Sequence, residues 1–160
     1  MIRVCFVCLG NICRSPTGEA VLRKMVKDAK LDHCISVESR GTAGYHIGEA
    51  SDARSRRAGQ QRGYDLNGKA RQFTREDFAK FDYVLAMDQQ NLRELRRLAP
   101  DQPSKDKVRL LRQFDMTAEP GAEVPDPYYG GVDGFNLVID ICEKACRGLL
   151  DHITKELAAL

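Results

Sequence analysis

Residues 4–16, Val-Cys-Phe-Val-Cys-Leu-Gly-Asn-Ile-Cys-Arg-Ser-Pro, place a short apolar run, a tight turn and a helix-start signal in direct succession. The apolar run from Val4 to Val7 is typical of a strand that is buried on both faces, and we expect this strand to span residues 3–8. Ser15-Pro16 predicts a helix start, with serine as the N-cap and proline at the first helical position. A strand, a loop and a helix in this order indicate an α/β protein.

The loop between Cys8 and Arg14 has the composition of an anion-binding site. Gly10 and Asn11 tolerate left-handed backbone, so the loop can turn its N–H groups inward around an anion. The next helix contributes the positive end of its dipole, and Arg14 offers a planar guanidinium to two phosphate oxygens. We expect Cys8 at the floor of this cradle, where the local field favours the thiolate. Together with Ser15, these residues predict phosphoryl transfer to sulfur.

Composition is that of an ordinary globular protein, with 160 residues, 42% hydrophobic and 30% charged, and we expect one domain spanning residues 1–160. The net charge of +2 favours neither a nucleic acid nor a membrane as partner. No apolar run approaches the ~20 residues that span a bilayer. Because the N-terminal residues lack a signal-peptide pattern, the cysteines are expected to be reduced thiols in the cytoplasm.

Strand and helix patterns alternate through the rest of the chain. Further strands are predicted at residues 35–41, 83–87 and 108–111, and helices at residues 53–62 (capped by Asp52), from 74 (a capping box), 89–99 (capped by Asp88) and 132–157. This alternation predicts a parallel sheet with helices on both faces. Ligands in such sheets bind at the carboxyl ends of the strands, where the Cys8 loop lies.

A long loop at about residues 112–131 carries a second group of candidate residues, and loops of this length in compact domains are usually functional. Asp126 precedes Pro127, so it is either a turn aspartate or a proton donor; the presence of the Cys8 loop favours the proton donor. Tyr128 and Tyr129 are expected to flank a pocket and stack on an aromatic substrate.

The motif Cys-Leu-Gly-Asn-Ile-Cys-Arg-Ser-Pro at residues 8–16 resembles the active-site loop of the low-molecular-weight protein tyrosine phosphatases. Asp-Pro-Tyr-Tyr-Gly-Gly at residues 126–131 resembles the general-acid loop of that family, and the resemblance covers nearly the whole chain. It implies a three-layer, doubly wound, flavodoxin-like α/β fold with four parallel strands in the order 2-1-3-4. It also implies hydrolysis of phosphotyrosine in proteins through a phosphocysteine intermediate, without metal or other cofactor.

The resemblance implies a role for each residue of the site. Cys8 attacks phosphorus, Asp126 acts as general acid and then as base, and Arg14 with the loop N–H groups holds the phosphate oxygens. Inorganic phosphate or another oxyanion is expected to bind the same loop. The loop-supporting residues are Leu9, Gly10, Asn11, Ile12, Cys13 and Ser15, and the candidate rim of the pocket comprises Tyr45, His46, Tyr128 and Tyr129. For Tyr45 and His46 an exposed turn is the alternative.

Two other features admit two interpretations each. Cys13 either packs in the core or protects Cys8 by trapping its sulfenic acid as a disulfide. The arginines of the second helix, Arg54, Arg56, Arg57 and Arg62, are expected to form a solvated face; docking of acidic substrate residues is the alternative.

Alternative functions on the same fold differ at specific positions. A thioredoxin-coupled arsenate reductase would need two further cysteines in the middle of the chain, and none lies between Cys34 and Cys142. In related protein arginine phosphatases the position of Ile12 tends to be threonine, so Ile12 favours phosphotyrosine. A metal-binding module using Cys5, Cys8 and Cys13 is disfavoured, because a strand points Cys5 and Cys8 to opposite faces.

One departure from the family pattern concerns the support of the loop. Many relatives carry a histidine shortly before an Ala-Arg pair, but here Asn67-Gly68-Lys69 precedes Ala70-Arg71. The sequence therefore leaves open how the loop is braced.

Overall fold

The centre of the fold is a parallel four-stranded sheet in the computed structural model, which describes residues 1–128 and 130–160. The strands are β1 (Ile2–Cys8), β2 (Ile35–Gly41), β3 (Tyr83–Ala86) and β4 (Val108–Leu110). Their spatial order is β2-β1-β3-β4, and each neighbouring pair is parallel. The predicted α/β class and strand order are thus confirmed.

Each strand is followed along the chain by at least one helix. The helices are α1 (Arg14–Asp28), α2 (Ala53–Gln61), α3 (Gln89–Leu98), α4 (Gln102–Asp106) and α5 (Val132–Ala158), with 3₁₀ turns at Arg75–Ala79 and Leu111–Phe114. The predicted caps are present: Asp52 accepts from the Arg54 N–H, and Asp88 accepts from the Asn91 N–H. Thr74 and Asp77 form the predicted capping box. The cap residues thus correctly predict where α2, α3 and the 3₁₀ turn at Arg75–Ala79 begin.

The two faces of β1 pack against different layers. Val4, Phe6 and Cys8 belong to a core with α1 and α5, whereas Cys5 and Val7 belong to a core with α3 and a group of phenylalanines. The second core includes Phe73, Phe78 and Phe81. Covering both faces explains why β1 is apolar without alternation.

The start of α1 differs from the prediction. Cys13 is the N-cap residue and Arg14 is the first helical residue, so Ser15 lies inside the helix and does not cap it. The hydroxyl of Ser15 instead lies 3.0 Å from Cys8 Sγ. Pro16 remains within the first turn, where its missing N–H costs no hydrogen bond.

Helix α4 was not predicted, although its signals are in the sequence. Asp101 caps it by accepting from the Ser104 N–H at 2.9 Å, and Pro103 lies in its first turn. A helix of 5 residues is too short to show an apolar periodicity.

The carboxyl ends of β1, β2 and β3 meet at one edge of the sheet. Cys8 is paired with Gly41, and Val7 is paired with Ala86. A side chain at Gly41 would place its Cβ 2.7 Å from the carbonyl oxygen of Leu9. Glycine at this position therefore makes room for the loop that follows β1.

Candidate active site

A pocket of about 200 Å³ opens at this edge of the sheet. It is lined by Cys8, Leu9, Gly10, Ile12, Cys13, Arg14, Tyr45, His46, Asp126 and Tyr128. Three segments far apart in the chain thus converge: the Cys8 loop, the loop after β2 and the loop before α5. Tyr129, the remaining predicted rim residue, lies outside the described residues.

The backbone of the Cys8 loop turns at Asn11, which has a left-handed φ of 58°. The Asn11 side chain holds this conformation by accepting from the Arg71 N–H at 2.9 Å and donating to Ser15 and Ser39 at 2.8 and 3.0 Å. Within the residues that the structure describes, the backbone N–H groups of residues 9–14 donate no hydrogen bond to other protein groups. They therefore have no acceptor among the described residues, and binding of an anion by these groups stays a prediction.

Gly10 has a different role from the expected one, because its φ is not positive. Its Cα faces the imidazole of His46, and a Cβ there would come within 2.9 Å of the His46 ring. Gly10 thus permits the loop after β2 to approach the Cys8 loop.

Cys8 lies at the carboxyl end of β1 and is 3% exposed. Ser15 Oγ accepts from Asn11, so its own proton is left for Cys8 Sγ or for the Arg40 carbonyl at 3.3 Å. A chain of hydrogen bonds continues from Asn11 to Ser39, which donates to Glu19 at 2.5 Å. The arrangement can stabilise a thiolate on Cys8 through the Ser15 hydroxyl.

Arg14 is buried and forms ion pairs with two acidic residues. One guanidinium nitrogen donates to Asp88 at 2.7 Å and to the Val124 carbonyl at 3.1 Å, and the other lies 3.7 Å from Asp126. Burial acts to lower the pKa of Arg14, but Cys8, Asp88 and Asp126 together raise it above its usual value. The guanidinium is therefore a fixed positive charge at the pocket. Its contact with Asp88 was not foreseen, because Asp88 was assigned only the cap of α3.

The loop that carries Asp126 is attached to the sheet just before this residue. The Val124 N–H donates to the Met87 carbonyl at 2.8 Å, and the Gln89 N–H donates to Glu123 at 2.8 Å. The Asp126 side chain is 40% exposed and accepts from the Tyr128 N–H at 3.0 Å. Asp126 is thus held near Arg14 while its carboxylate remains open to a ligand.

The rim of the pocket contains both residues of the loop after β2 that the sequence singled out. His46 is half-buried and its Nδ1 lies 2.9 Å from Glu49, whereas Tyr45 is 75% exposed. Leu9 and Ile12 add apolar surface on the side of the Cys8 loop. The walls can therefore accept a flat aromatic group.

Arg54 was expected on a solvated face, and its side chain is 41% exposed in agreement with this, but it also contacts aromatic rings. Its guanidinium lies over the rings of Tyr128, at 5.2 Å, and Phe135, at 4.7 Å. Asp52 accepts from its Nε and Nη2 at 3.1 and 3.0 Å. Arg54 thus connects α2 to the rim residue Tyr128.

Arg62, in contrast, departs from the expected solvated face. Its guanidinium pairs with Asp140 at 2.7 Å and with Glu143 at 2.6 Å, both on α5. This arginine therefore joins α2 to α5.

Cys13 lines the pocket but is 5% exposed. Burial raises the pKa of its thiol to about 12, against the opposing effect of a hydrogen bond with Ser55. The buried position of Cys13 supports the interpretation that it packs in the core, while redox protection of Cys8 stays a prediction.

In the part of the chain that the structure describes, no cluster of three or more His, Cys, Asp or Glu residues could hold a metal ion. Among the described residues, no helix is long and apolar enough to cross a membrane.

The segment that precedes Ala70-Arg71, where many relatives carry a histidine, borders a cavity. A cavity of about 230 Å³ lies behind the Cys8 loop and is bordered by Asn11, Glu19, Ser39, Asn67 and Gly68. A Cβ at Gly68 would meet no atom within 4 Å. The loop is instead braced by Ser39 and by the backbone of Arg71, both bonded to Asn11.

Comparison with known proteins finds relatives over nearly the whole chain. The sequence model of the family described as low molecular weight phosphotyrosine protein phosphatase matches residues 3–159. A low molecular weight protein-tyrosine-phosphatase from Streptomyces coelicolor is 48% identical over 96% of this chain and 94% of its own length.

Solved structures agree in fold. The crystal structure of a protein tyrosine phosphatase from Entamoeba histolytica, with Hepes in the active site, is 43% identical, covers 100% of both chains and has a TM-score of 0.92. A structure of the YwlE arginine phosphatase, a mutant with a phosphorylated active-site serine, is 26% identical over 96% of this chain and 97% of its own, with a TM-score of 0.85.

Proposed function

Because the chain belongs to the low molecular weight phosphotyrosine protein phosphatase family and is thus a phosphatase, we propose that it hydrolyses phosphotyrosine in proteins through a phosphocysteine intermediate. The observation that carries the proposal is the position of Cys8 Sγ, 3.0 Å from Ser15 Oγ, in a pocket shared with Arg14 and Asp126.

In the first step the Cys8 thiolate attacks phosphorus, so that an S–P bond forms as the P–O bond to the phenol breaks. Asp126 gives its proton to the leaving phenolate oxygen. Arg14 and the loop N–H groups bind the equatorial oxygens, where charge lies in the transition state. Its ion pair with Asp88 orients the Arg14 guanidinium.

In the second step a water molecule attacks phosphorus while the Asp126 carboxylate takes a proton from it. The S–P bond breaks and the Cys8 thiolate returns, which the Ser15 hydroxyl favours by stabilising the negative sulfur. Inorganic phosphate then leaves the loop. A cytoplasmic location is part of the proposal, and it is supported by six cysteines that are all free thiols.

Phosphotyrosine is favoured over phosphoarginine by the walls of the pocket. Ile12 presents an apolar side chain where related arginine phosphatases tend to have threonine, and Tyr45 and Tyr128 add aromatic surface. The likeness to the YwlE structure makes phosphoarginine the second candidate.

The deciding experiment compares phosphotyrosine, phosphoarginine and phosphoserine peptides of one sequence, with EDTA present. We expect hydrolysis of the phosphotyrosine peptide and its loss in Cys8→Ser. Cys34→Ser, which changes a thiol outside the pocket, is the matched control and should retain activity. Full activity of Cys8→Ser, or a preference for phosphoarginine, would contradict the proposal.

A further inference from the structure

A groove of about 530 Å³ continues from the candidate active site along the outer side of Leu9 and Tyr45. Leu9 and Tyr45 line both the catalytic pocket and the groove. The far side of the groove is formed by α3, through Gln90, Arg97 and Leu98. If a phosphotyrosine ring enters the pocket, its polypeptide leaves at this rim, so flanking residues pass over the groove.

The wall between pocket and groove is held by hydrogen bonds. The Thr42 N–H donates to the Cys8 carbonyl and the Ala43 N–H donates to the Leu9 carbonyl, both at 2.9 Å. Gln72 donates to the Thr42 carbonyl at 3.2 Å from within the groove. These hydrogen bonds therefore fix the side of the groove at Thr42 and Ala43 relative to the catalytic loop.

Apolar surface is unusually exposed along this groove. Leu9 is 37% exposed, Tyr45 75% and Leu98 38%. Exposed apolar side chains that gather beside a polar rim mark binding surfaces. They offer contacts for an aliphatic or aromatic residue of a bound segment.

The charged residues that line the groove are Arg97 and Glu94. Glu94 accepts from the Gln90 amide at 3.4 Å. Arg97 forms no ion pair among residues 1–128 and 130–160. An acidic side chain of a bound segment would thus find a complementary charge at Arg97.

We propose that this groove docks the segment of a substrate protein next to its phosphotyrosine, with an apolar side chain against Leu98 and an acidic side chain at Arg97. The inference rests on the proposed function, because the phosphotyrosine in the pocket brings the segment to the groove. It adds a preference for acidic and apolar flanking residues.

The test uses two phosphotyrosine peptides of equal length, one with acidic and one with basic flanking residues, and para-nitrophenyl phosphate as a substrate too small for the groove. Wild type should show a higher kcat/KM on the acidic peptide, by about two- to fivefold from one exposed charge pair. Arg97→Glu should lose or invert this preference and leave para-nitrophenyl phosphate turnover unchanged. Arg147→Glu, the same charge change at an exposed position on α5, should keep it.

A second pair of variants tests the apolar contact. Leu98→Ser should raise KM for peptides with an apolar flanking residue, whereas Leu137→Ser, an exposed leucine on α5, should not. Equal peptide selectivity in wild type, Arg97→Glu and Leu98→Ser would overturn the docking groove while leaving the phosphatase assignment intact. A wild type that cleaves phosphoarginine but neither phosphotyrosine peptide would overturn both.

Discussion

The Asn11 side chain donates a hydrogen bond to the Ser15 hydroxyl across 2.8 Å. This contact limits where the Ser15 proton points, because the Ser15 oxygen already accepts from Asn11 and the remaining acceptors are Cys8 Sγ and the Arg40 carbonyl. The proton is then available to Cys8 Sγ at 3.0 Å. The nucleophile is thus coupled to the residue that turns the loop backbone, and the two can be tested separately.

Ser15→Ala should slow phosphate ester hydrolysis, because a hydrogen bond to a charged group contributes about 1.5–3 kcal/mol. That corresponds to a loss of about ten- to hundredfold in turnover. Thr17→Val is the control, because it removes a hydroxyl of the same helix that donates to the Cys13 carbonyl and not to Cys8. Unchanged turnover in Ser15→Ala would contradict the role of the hydroxyl.

Asn11→Gly should show how much the side-chain hydrogen bonds of Asn11 contribute to stability, apart from its left-handed backbone. Glycine keeps the left-handed φ accessible, but the Arg71 N–H loses its acceptor, which costs about 1–3 kcal/mol. Asn11→Ala should be less stable still, because an alanine in left-handed backbone costs about 1 kcal/mol more. Urea unfolding of the two variants measures both effects. Equal stability of all three proteins would show that the network does not hold the loop.

Local sequence motifs predicted the Cys8 loop and the Asp126 loop, since each motif carries its chemistry within a few residues. The contacts that join them could not be predicted in this way. Arg14 and Asp88 are 74 residues apart, and the cap motif at Asp88 gave no sign of a second partner. Which side chains meet at the edge of a sheet depends on strand order and register, and one sequence does not determine these locally.

Ser15 shows that a local motif can also fail to predict contacts between residues close in sequence. The Ser-Pro pair is typical of a helix start, yet the helix begins one residue before Ser15. The hydroxyl of Ser15 instead contacts Cys8 Sγ. Gly41 was predicted only as a strand end, whereas its lack of a side chain is required by the carbonyl of Leu9, which lies on another strand's loop. Tertiary contacts thus decide what a local motif does.

Asp126→Asn should lower kcat/KM most for substrates whose leaving group is a poor one. General acid catalysis typically contributes about 10²–10⁴-fold, and it is needed less when the departing oxygen is stable as an anion. Alkyl and unsubstituted phenyl phosphates should therefore lose far more than para-nitrophenyl phosphate. Glu123→Gln in the same loop is the control, as its carboxylate accepts from the Gln89 N–H outside the pocket. Equal losses on all three substrates would argue against proton donation by Asp126.

Arg54→Lys should weaken the binding of aromatic substrates, although it keeps the positive charge. Lysine lacks the planar group that lies over Tyr128 and Phe135 and that pairs twice with Asp52. Loss of this exposed cation–π contact predicts a rise in KM of about two- to fivefold for aryl phosphates. Alkyl phosphates, which do not stack on Tyr128, should change less. Arg57→Lys on the exposed side of α2 should leave both unchanged, and a matching rise there would contradict a specific role of Arg54.

Cys13 should react as a buried thiol with a pKa of about 12. A raised thiol pKa means that the neutral form prevails at pH 7 and that the reactive thiolate grows with pH. Alkylation of Cys13 by iodoacetamide, followed by mass spectrometry in a Cys8→Ser background, should therefore accelerate steadily from pH 7 to pH 10 without a plateau. Ser55→Ala should slow it further, because the hydrogen bond from Ser55 opposes the effect of burial.

The raised pKa of the Cys13 thiol also sets the speed at which Cys13 can trap oxidised Cys8. After peroxide treatment of the wild type, disulfide formation between Cys8 and Cys13 needs the Cys13 sulfur as nucleophile, so it should be slower at pH 7 than at pH 9. At pH 7 the sulfenic acid on Cys8 should last long enough for trapping by dimedone. A disulfide that forms equally fast at both pH values would show that Cys13 becomes accessible and ionised during the reaction, against the buried environment seen in the resting protein.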